Sequence, residues 1–202
     1  MTDTTDSSGG ALTEEKLKAI IADHRIFLAT NGAKGAKADL KGANLTGMKL
    51  KSAELAEADL AGAVMDLADL EWIFLSKADL SGTRIRQANL KGAFLMQAVL
   101  KQADLSGTDL EGANMKGADL SGVKAVSANL TWADLREADL TGADLSGSDL
   151  RSTRLGDADF SQAILERVVL DEDQLFNAKS LKGARLDPEA REAVEQAKPE
   201  LL

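Results

Sequence analysis

The chain has 202 residues, of which 44% are hydrophobic, and its formal net charge is −9. This length and composition predict one folded domain, and the absence of Cys excludes a disulfide scaffold and fits a reducing compartment. No apolar run is long enough for a signal sequence or a membrane span, so the sequence predicts a cytoplasmic protein without a membrane partner.

The N-terminal part of the sequence predicts a polar tail followed by one amphipathic helix. Residues 1–12 are rich in polar and small residues, and we expect them to be disordered. The segment 13–37, a capping helix and linker, has Thr13 as the expected helix cap and Asn31-Gly32 as the stop signal. This helix either covers the open end of the repeat that follows or docks onto another protein. Its apolar face consists of Leu17, Ile20, Ile21, His24, Phe27 and Leu28.

A five-residue repeat of the form Ala-Asp/Asn-Leu-x-x occupies residues 38–177. Every fifth residue from Leu40 to Leu175 is apolar, and 23 of these 28 residues are Leu. Ala stands two residues earlier in 19 of the units, and Asp or Asn lies between the two in 16 of them. The five positions that are not Leu are Met65, Ile85, Met115, Ala125 and Phe160.

The period of five excludes a helix and predicts a coil of short extended segments. Five residues turn an α-helix by about 140°, so Leu at this spacing would form no apolar stripe. In an extended chain the Ala and the Leu point inward and the residue between them points outward, while the last two residues form a corner. The pattern repeats more faithfully at twenty residues than at fifteen, which predicts an all-β solenoid of about seven four-sided coils.

These units resemble those of the pentapeptide-repeat proteins over all of residues 38–177. The resemblance implies a right-handed quadrilateral β-helix, to which the flanking sequences add a capping α-helix at each end. Most members of that family have no established activity, so the resemblance favours a non-catalytic scaffold that mediates protein–protein interaction. Some members imitate DNA and bind DNA gyrase, which they protect from inhibitors.

An acidic column is predicted at the outward position on one side of the coil. Its carboxylates would lie about 4.8 Å apart along the rod and would repel one another. One interpretation is local, because Asp side chains accept hydrogen bonds from nearby backbone groups and stabilise corners. The alternative is that the column imitates a DNA phosphate backbone and binds gyrase, another topoisomerase or another DNA-binding protein. The column consists of Asp39, Asp59, Asp79, Asp119, Asp139 and Asp159, with Val99 interrupting it.

Four large apolar residues are predicted on the outside of neighbouring coils. Trp72, Phe74, Phe94 and Met96 fall on one side of the coil, at positions that the repeat pattern assigns outward. Scattered exposed apolar residues are ordinary, but a contiguous patch often marks an interface. We interpret these four residues as a candidate binding site for a protein partner.

No group of residues in the sequence indicates catalysis, a metal or a cofactor. His24 is the only His, no Cys is present, and no phosphate-binding Gly-rich loop occurs. We therefore expect no enzyme activity, no metal and no cofactor. The repeat segment holds 23 acidic against 14 basic residues, so we also expect no direct binding of nucleic acid. The expected partner is a protein of unidentified kind, and the chain is expected to be a monomer or a homodimer.

The repeat pattern decays toward the C-terminus, where residues 178–202 predict a last irregular turn and a helix. Asp187 is the expected cap of this helix, Pro188 its first residue and Lys198-Pro199 its end. We expect the helix to close this end of the stack and to shield strand edges from other chains.

Overall fold

The computed structural model describes residues 12–171 and 173–202. The chain begins with a helix, continues as a coil of five-residue units from Ala38 onward, and ends with a second helix. The tail predicted for residues 1–12 lies outside the described residues, except for Leu12. The helices and strands are α1 (Glu14–Ala29), β1 (Ile164–Leu165), β2 (Arg185–Leu186) and α2 (Pro188–Ala197), with 3₁₀ helices at Gln174–Asn177 and Pro199–Leu201.

Successive coils pair in parallel at a spacing of twenty residues. Asp39 pairs with Asp59 and Asp59 with Asp79, and the same spacing recurs on all four sides of the coil. Most pairings are single-residue bridges, because the two corner residues of each unit leave only three residues extended. The predicted solenoid of twenty-residue coils is therefore confirmed. We number its sides faces 1 to 4, after the units of Leu40, Leu45, Leu50 and Leu55.

The backbone hydrogen bonds of each unit account for its shape. The amides of the outward residue, the inward residue and, in most units, the second corner residue donate to neighbouring coils, and the amide at the Ala position closes the corner. The second corner residue is left-handed in most units, with φ of 69° at Gly62 and 58° at Trp72. Glycine adopts this conformation without steric cost, which explains its frequency there. In the described units from Leu40 to Leu170, the amide of the first corner residue donates to no backbone carbonyl.

The core is a column of inward Leu and Ala side chains. Leu40, Ala58 and Leu100 are fully buried, and the same holds for nearly every unit. Burial of one Leu side chain stabilises the fold by roughly 1.5–3 kcal/mol, and the stack repeats this gain along its length. Ala125 takes one Leu position, and Val123 replaces the usual Ala beside it. The cavity that these two residues line with their core neighbours measures only about 10 Å³.

Helix α1 packs against the first coils through buried side chains. The hydroxyl oxygen of Thr13 accepts a hydrogen bond from the Lys16 amide at 3.2 Å, which confirms the predicted N-terminal cap. Leu12 and Leu17 are buried and join the core of the repeat. The helix therefore shares one hydrophobic core with the coil.

His24 fixes α1 to the coil by two hydrogen bonds. The side chain is fully buried, its Nδ1 atom accepts the Ala38 amide at 3.0 Å, and its Nε2 atom lies 2.8 Å from the Ala56 carbonyl oxygen. Because Nδ1 accepts a hydrogen bond, it carries no proton, and Nε2 must be the donor to Ala56. His24 is thus a structural residue whose imidazole satisfies one donor and one acceptor of the first coil.

The ladder of bridges shifts by one residue near the C-terminus. Asp159 pairs with Ser180 and Ile164 with Arg185, a spacing of twenty-one residues instead of twenty. The 3₁₀ helix Gln174–Asn177 lies between these partners and accommodates the extra residue. The coil therefore continues beyond the last regular unit of the sequence.

Helix α2 has the predicted start at Pro188 and the predicted end before Lys198. The predicted capping role of Asp187 is wrong in its chemistry, because the side chain makes no hydrogen bond to the helix. Its Oδ2 atom instead accepts the Arg167 amide at 2.7 Å. The carboxylate therefore ends the hydrogen-bond ladder of the preceding coil.

Candidate functional site

The six carboxylates of the acidic column lie on face 1. Parallel bridges join Asp39 to Asp59 and Asp59 to Asp79, and a second run joins Asp119 to Asp139 and then Asp159. Val99 pairs with Asp79 on one side and with Asp119 on the other, as the sequence predicted. The column is thus one continuous line of outward side chains with a single apolar interruption.

Each carboxylate of the column also has a local structural role. Asp79 and Asp139 accept the backbone amide two residues further on at 2.9 Å, and the other four do so at 3.0–3.2 Å. The same bond forms at all 16 outward Asp and Asn residues of the repeat. It satisfies the first corner amide, the one donor that the backbone leaves unpaired. The Asp and Asn preference therefore has a complete local explanation.

The local role does not explain why face 1 keeps so many charges. On face 3, Asn89 and Asn129 alternate with Asp, and their side-chain amides donate to Asp69 and Asp109 of the preceding coil at 3.2 and 3.0 Å. Asn makes the same corner bond as Asp without the charge. Face 1 instead stacks runs of three Asp without interruption. Three lysines, Lys41, Lys101 and Lys179, approach Asp59, Asp119 and Asp159 within 3.7 Å.

Hydrogen bonding keeps part of the column firmly ionised. The Ser161 hydroxyl donates to Asp159 at 2.6 Å, and this bond holds the pKa of the Asp159 carboxyl below its ordinary value. A hydrogen bond from Ser81 has the same effect on the pKa of Asp79. These two carboxylates therefore remain charged at neutral pH even within a column of like charges.

The four apolar residues predicted as a partner site lie together on face 4 and its two corners, and we call them the aromatic surface. The Phe74 and Phe94 rings are stacked, with centroids 4.7 Å apart and planes 3° from parallel. Trp72 is 48% exposed, Phe74 40% and Met96 41%, while Phe94 is half-buried. The sequence-based expectation that these side chains point outward agrees with their exposure.

Trp72 lies flat against the next coil. A Cβ atom at Gly92 would be 2.3 Å from the indole ring, so the indole position requires glycine there. The indole N–H donates to the Glu71 carboxylate at 3.0 Å. Packing against Gly92 and this hydrogen bond hold the indole in place while leaving about half of it accessible.

Phe74 and Phe94 break the hydrogen-bond rule of the repeat. Neither side chain can accept the amide two residues further on, and in the described part of the chain no protein group accepts the amides of Ser76 and Met96. Each Phe therefore stands at a position where Asp or Asn, the outward residue of 16 of the 28 units, would complete the corner. Local rules that a sequence breaks without structural gain are typical of functional positions.

One further exposed aromatic residue on the same edge of the rod was not predicted from the sequence. Trp132 is 70% exposed, the largest exposure among the big apolar side chains described. It occupies the corner between faces 3 and 4, as Trp72 does, three coils further along the rod. The signal in the sequence was the spacing of sixty residues between the two tryptophans, a multiple of the coil length.

The described residues contain no group of His, Asp and Glu arranged to hold a metal ion. Among the same residues, no helix combines the length and the hydropathy needed to cross a membrane. The geometry of the described surface is therefore that of a rod with an acidic column on face 1 and an aromatic surface on face 4.

Comparison with known proteins identifies the repeat. The family model for pentapeptide repeats matches the chain in eight copies, over residues 38–82, 66–102, 78–117, 95–131 and 128–167. No curated protein matches the chain.

Three solved structures illustrate the similarity. HetL from Nostoc sp. strain PCC 7120, a pentapeptide repeat protein involved in heterocyst differentiation regulation, is 29% identical over 70% of this chain and 73% of its own, with a TM-score of 0.35. Rfr23 from Cyanothece 51142 is 30% identical over 58% and 62%, with a TM-score of 0.30. QnrB1, a plasmid-mediated fluoroquinolone resistance protein, is 19% identical over 73% and 82%, with a TM-score of 0.33. Because the family model covers more than half of the residues, the chain belongs to the pentapeptide-repeat family.

Proposed function

We propose that the protein is a non-catalytic scaffold that binds a protein partner through the aromatic surface formed by Trp72, Phe74, Phe94 and Met96. The observation that carries the proposal is the exposed stack of Phe74 on Phe94, the two aromatic residues at an outward position that Asp or Asn fills in 16 of the 28 units. Aromatic side chains dominate the binding energy of many protein interfaces. Here their exposure in the free chain leaves apolar area that a partner would bury.

The rigidity of the rod supports this function. The two Phe side chains stand on paired coils, and Trp72 is held against Gly92. Side chains fixed in this way lose little conformational freedom when a partner binds, which favours affinity. We further infer that the coils wind as a right-handed quadrilateral β-helix that extends over residues 38–177, and a crystal structure would determine the hand.

The test replaces both Phe residues by Asn, because Asn114 already occupies the equivalent outward position on the same face. Phe74→Asn with Phe94→Asn should leave folding intact, because each Asn can accept the free amide of Ser76 or Met96. We expect the free energy of unfolding to change by less than about 1 kcal/mol in urea titrations. Proteins captured from the native cell by the wild-type chain should be lost with the variant, as measured by quantitative mass spectrometry.

The matched control removes two outward apolar residues from other faces. Val64→Asn and Val99→Asn change faces 2 and 1 at the same repeat position and should retain the captured proteins. Equal recovery with the Phe74/Phe94 variant and the wild type would refute the role of the aromatic surface. Equal loss with both variants would show that the loss of capture is not specific to face 4.

A second candidate function is mimicry of DNA by the acidic column, in which the protein binds gyrase or another DNA-binding protein and modulates or protects it. The uninterrupted runs of three Asp favour it, because Asn would serve the corner without repulsion. The charge density argues for a weaker mimic, since one charge per about 4.8 Å compares with one per about 1.7 Å in duplex DNA. Lys41, Lys101 and Lys179 lower the effective charge further.

A gyrase supercoiling assay, with and without a quinolone, tests this candidate. DNA mimicry predicts inhibition or protection that depends on the column and weakens at high salt. The variant Asp119→Asn, Asp139→Asn, Asp159→Asn keeps the three corner bonds and removes three charges, so it should lose the effect without unfolding. No effect of the wild-type chain at micromolar concentration would remove gyrase as the target.

A further inference from the structure

A groove of about 810 Å³ lies at the C-terminal end of the rod, between the last coil and α2. Clefts of this size accommodate ligands or several side chains of a bound peptide. Its walls are mainly apolar, and Val169 is 48% exposed. The lining includes Val168, Val169 and Leu170 from face 3, Phe176 from the 3₁₀ helix, and Ala190 and Ala193 from α2.

The wall on face 3 is an unpaired strand edge. In earlier coils the inward residue donates its amide to the next coil, as Leu150 does to the Val169 carbonyl at 2.7 Å. Within residues 12–171 and 173–202, nothing accepts the Leu170 amide and nothing donates to the Val168 carbonyl. Edges of this kind can pair with an added extended segment.

This edge stays unpaired because of the path that the chain takes after the last coil. Asp187 accepts the Arg167 amide, and Pro188, which has no N–H group, starts α2, so the chain leaves the stack before reaching face 3 again. Two carbonyl groups of the preceding coil are instead satisfied by a side chain. The Gln174 side-chain amide donates to the Leu150 and Thr153 carbonyls at 2.9 and 2.8 Å.

The charges around the groove favour a positively charged ligand. The charged residues that line it in the described structure are Asp173, Asp187 and Glu189, all acidic. A second copy of this chain would be a poor occupant, because joining two such grooves would bring carboxylates against carboxylates. The α1 helix of a second copy has as many acidic as basic residues and offers no compensating charge.

We propose that this groove binds an extended peptide segment of another protein that alternates apolar and basic residues. The segment pairs with the Val168–Leu170 edge, buries its apolar side chains against Val169 and Ala193, and places Lys or Arg beside Asp173 and Glu189. This site is separate from the aromatic surface, so its proposal does not rest on the function proposed above.

The test uses labelled synthetic peptides and fluorescence anisotropy with the full chain. A short peptide of alternating Val and Lys is the probe, and one of alternating Val and Glu is the charge control. A third peptide has the Val-Lys sequence with its pairing amides N-methylated, which keeps the charge but removes the donors. We expect both control peptides to bind at least about tenfold more weakly than the probe.

Protein variants locate the binding. Asp173→Asn with Glu189→Gln should weaken probe binding about tenfold at low salt. Asp119→Asn with Asp139→Asn removes the same charge from face 1 and should leave binding unchanged. Ala193→Trp should abolish binding by filling the groove, and a urea titration of that variant verifies folding. Should Ala193→Trp unfold, the two charge variants still decide the outcome.

Three results would overturn the proposal. Equal binding of the N-methylated probe would show that the strand edge is not used. Equal weakening by the face 1 and groove variants would show a diffuse attraction to an acidic rod. Sedimentation that reveals a dimer from which the probe is excluded would assign the groove to a second copy of the chain.

Discussion

At the scale of single residues, the outward Asp or Asn is what completes a unit. Its side-chain oxygen accepts the only corner amide that the coil leaves unpaired, as Asp139 does for Thr141 at 2.9 Å. Charge is not needed for this bond, since Asn129 makes it with Thr131 at 3.1 Å. The two contributions of Asp, hydrogen bonding and charge, can therefore be separated by mutation.

Asp139 is the residue at which to separate them, because it lies between Asp119 and Asp159 and forms none of the lysine pairs described above. We expect Asp139→Asn to raise the free energy of unfolding at low salt, since it keeps the bond and removes repulsion. Asp139→Ala should lower it by about 1 kcal/mol relative to Asn, because the Thr141 amide loses its partner. Urea titrations measure both, and the gain from Asn should shrink at high salt. A loss of stability with Asn would contradict this account.

At the scale of elements, α1 and the coil are joined by one buried polar side chain within an apolar interface. His24 bonds to Ala38 and Ala56, and Leu17 of the same helix belongs to the shared core. Among the residues that the structure describes, neither backbone group has another partner that could replace the imidazole. The position of α1 therefore depends on a side chain that the sequence alone suggested to be merely packed.

We predict that His24→Leu destabilises the junction although it is apolar and similar in size. The Ala38 amide and the Ala56 carbonyl would be buried without partners, at a cost of roughly 1–3 kcal/mol each. Hydrogen exchange should show loss of protection in α1 and the first coil but not in the coils near Leu140. Lys18→Ala, on the exposed side of the same helix, is the control and should change neither. Unaltered exchange in the Leu variant would exclude this role for His24.

The sequence predicted the regular elements well and the ends poorly. The period of Leu and Ala determines which side chains face inward, so the coil, its length and the placement of Asp79 or Phe74 follow from counting. The ends depend on side chains that bond to backbone far away in sequence, such as Gln174 with Leu150 and Asp187 with Arg167. No local pattern encodes such contacts, so neither the shift to twenty-one residues nor the open groove was predicted.

At the scale of the whole molecule, stability should depend on carboxylates that stay ionised in the fold. Hydrogen bonds from Arg136 and Arg151 hold the pKa of Asp134 and of Asp149 below their ordinary values. The Ser81 and Ser161 bonds act likewise on the pKa of Asp79 and Asp159. In the unfolded chain these groups would return to a pKa of about 3.9.

The direction of the pH effect follows from these shifts. A carboxyl whose pKa is lower in the fold contributes stability above its unfolded pKa, and this contribution is lost as pH falls through the folded value. We therefore expect a nearly constant urea midpoint from neutral pH down to about pH 5 and a decline below about pH 4. Asp134→Asn should be less stable at neutral pH and should show a shallower decline. A midpoint that rises on acidification would contradict the prediction.

The twenty-residue ladder also means that the rod can change length without redesign. Deleting one full coil, such as residues 118–137, would join Gly117 to Ala138 and leave each later unit above a unit of its own face. Deleting only five residues would preserve the apolar interior but turn all later faces by a quarter, so the runs of Asp before and after the cut would no longer align. Length and surface pattern are therefore independently adjustable, and descendants of such a chain can lengthen by duplication while retaining their binding surfaces.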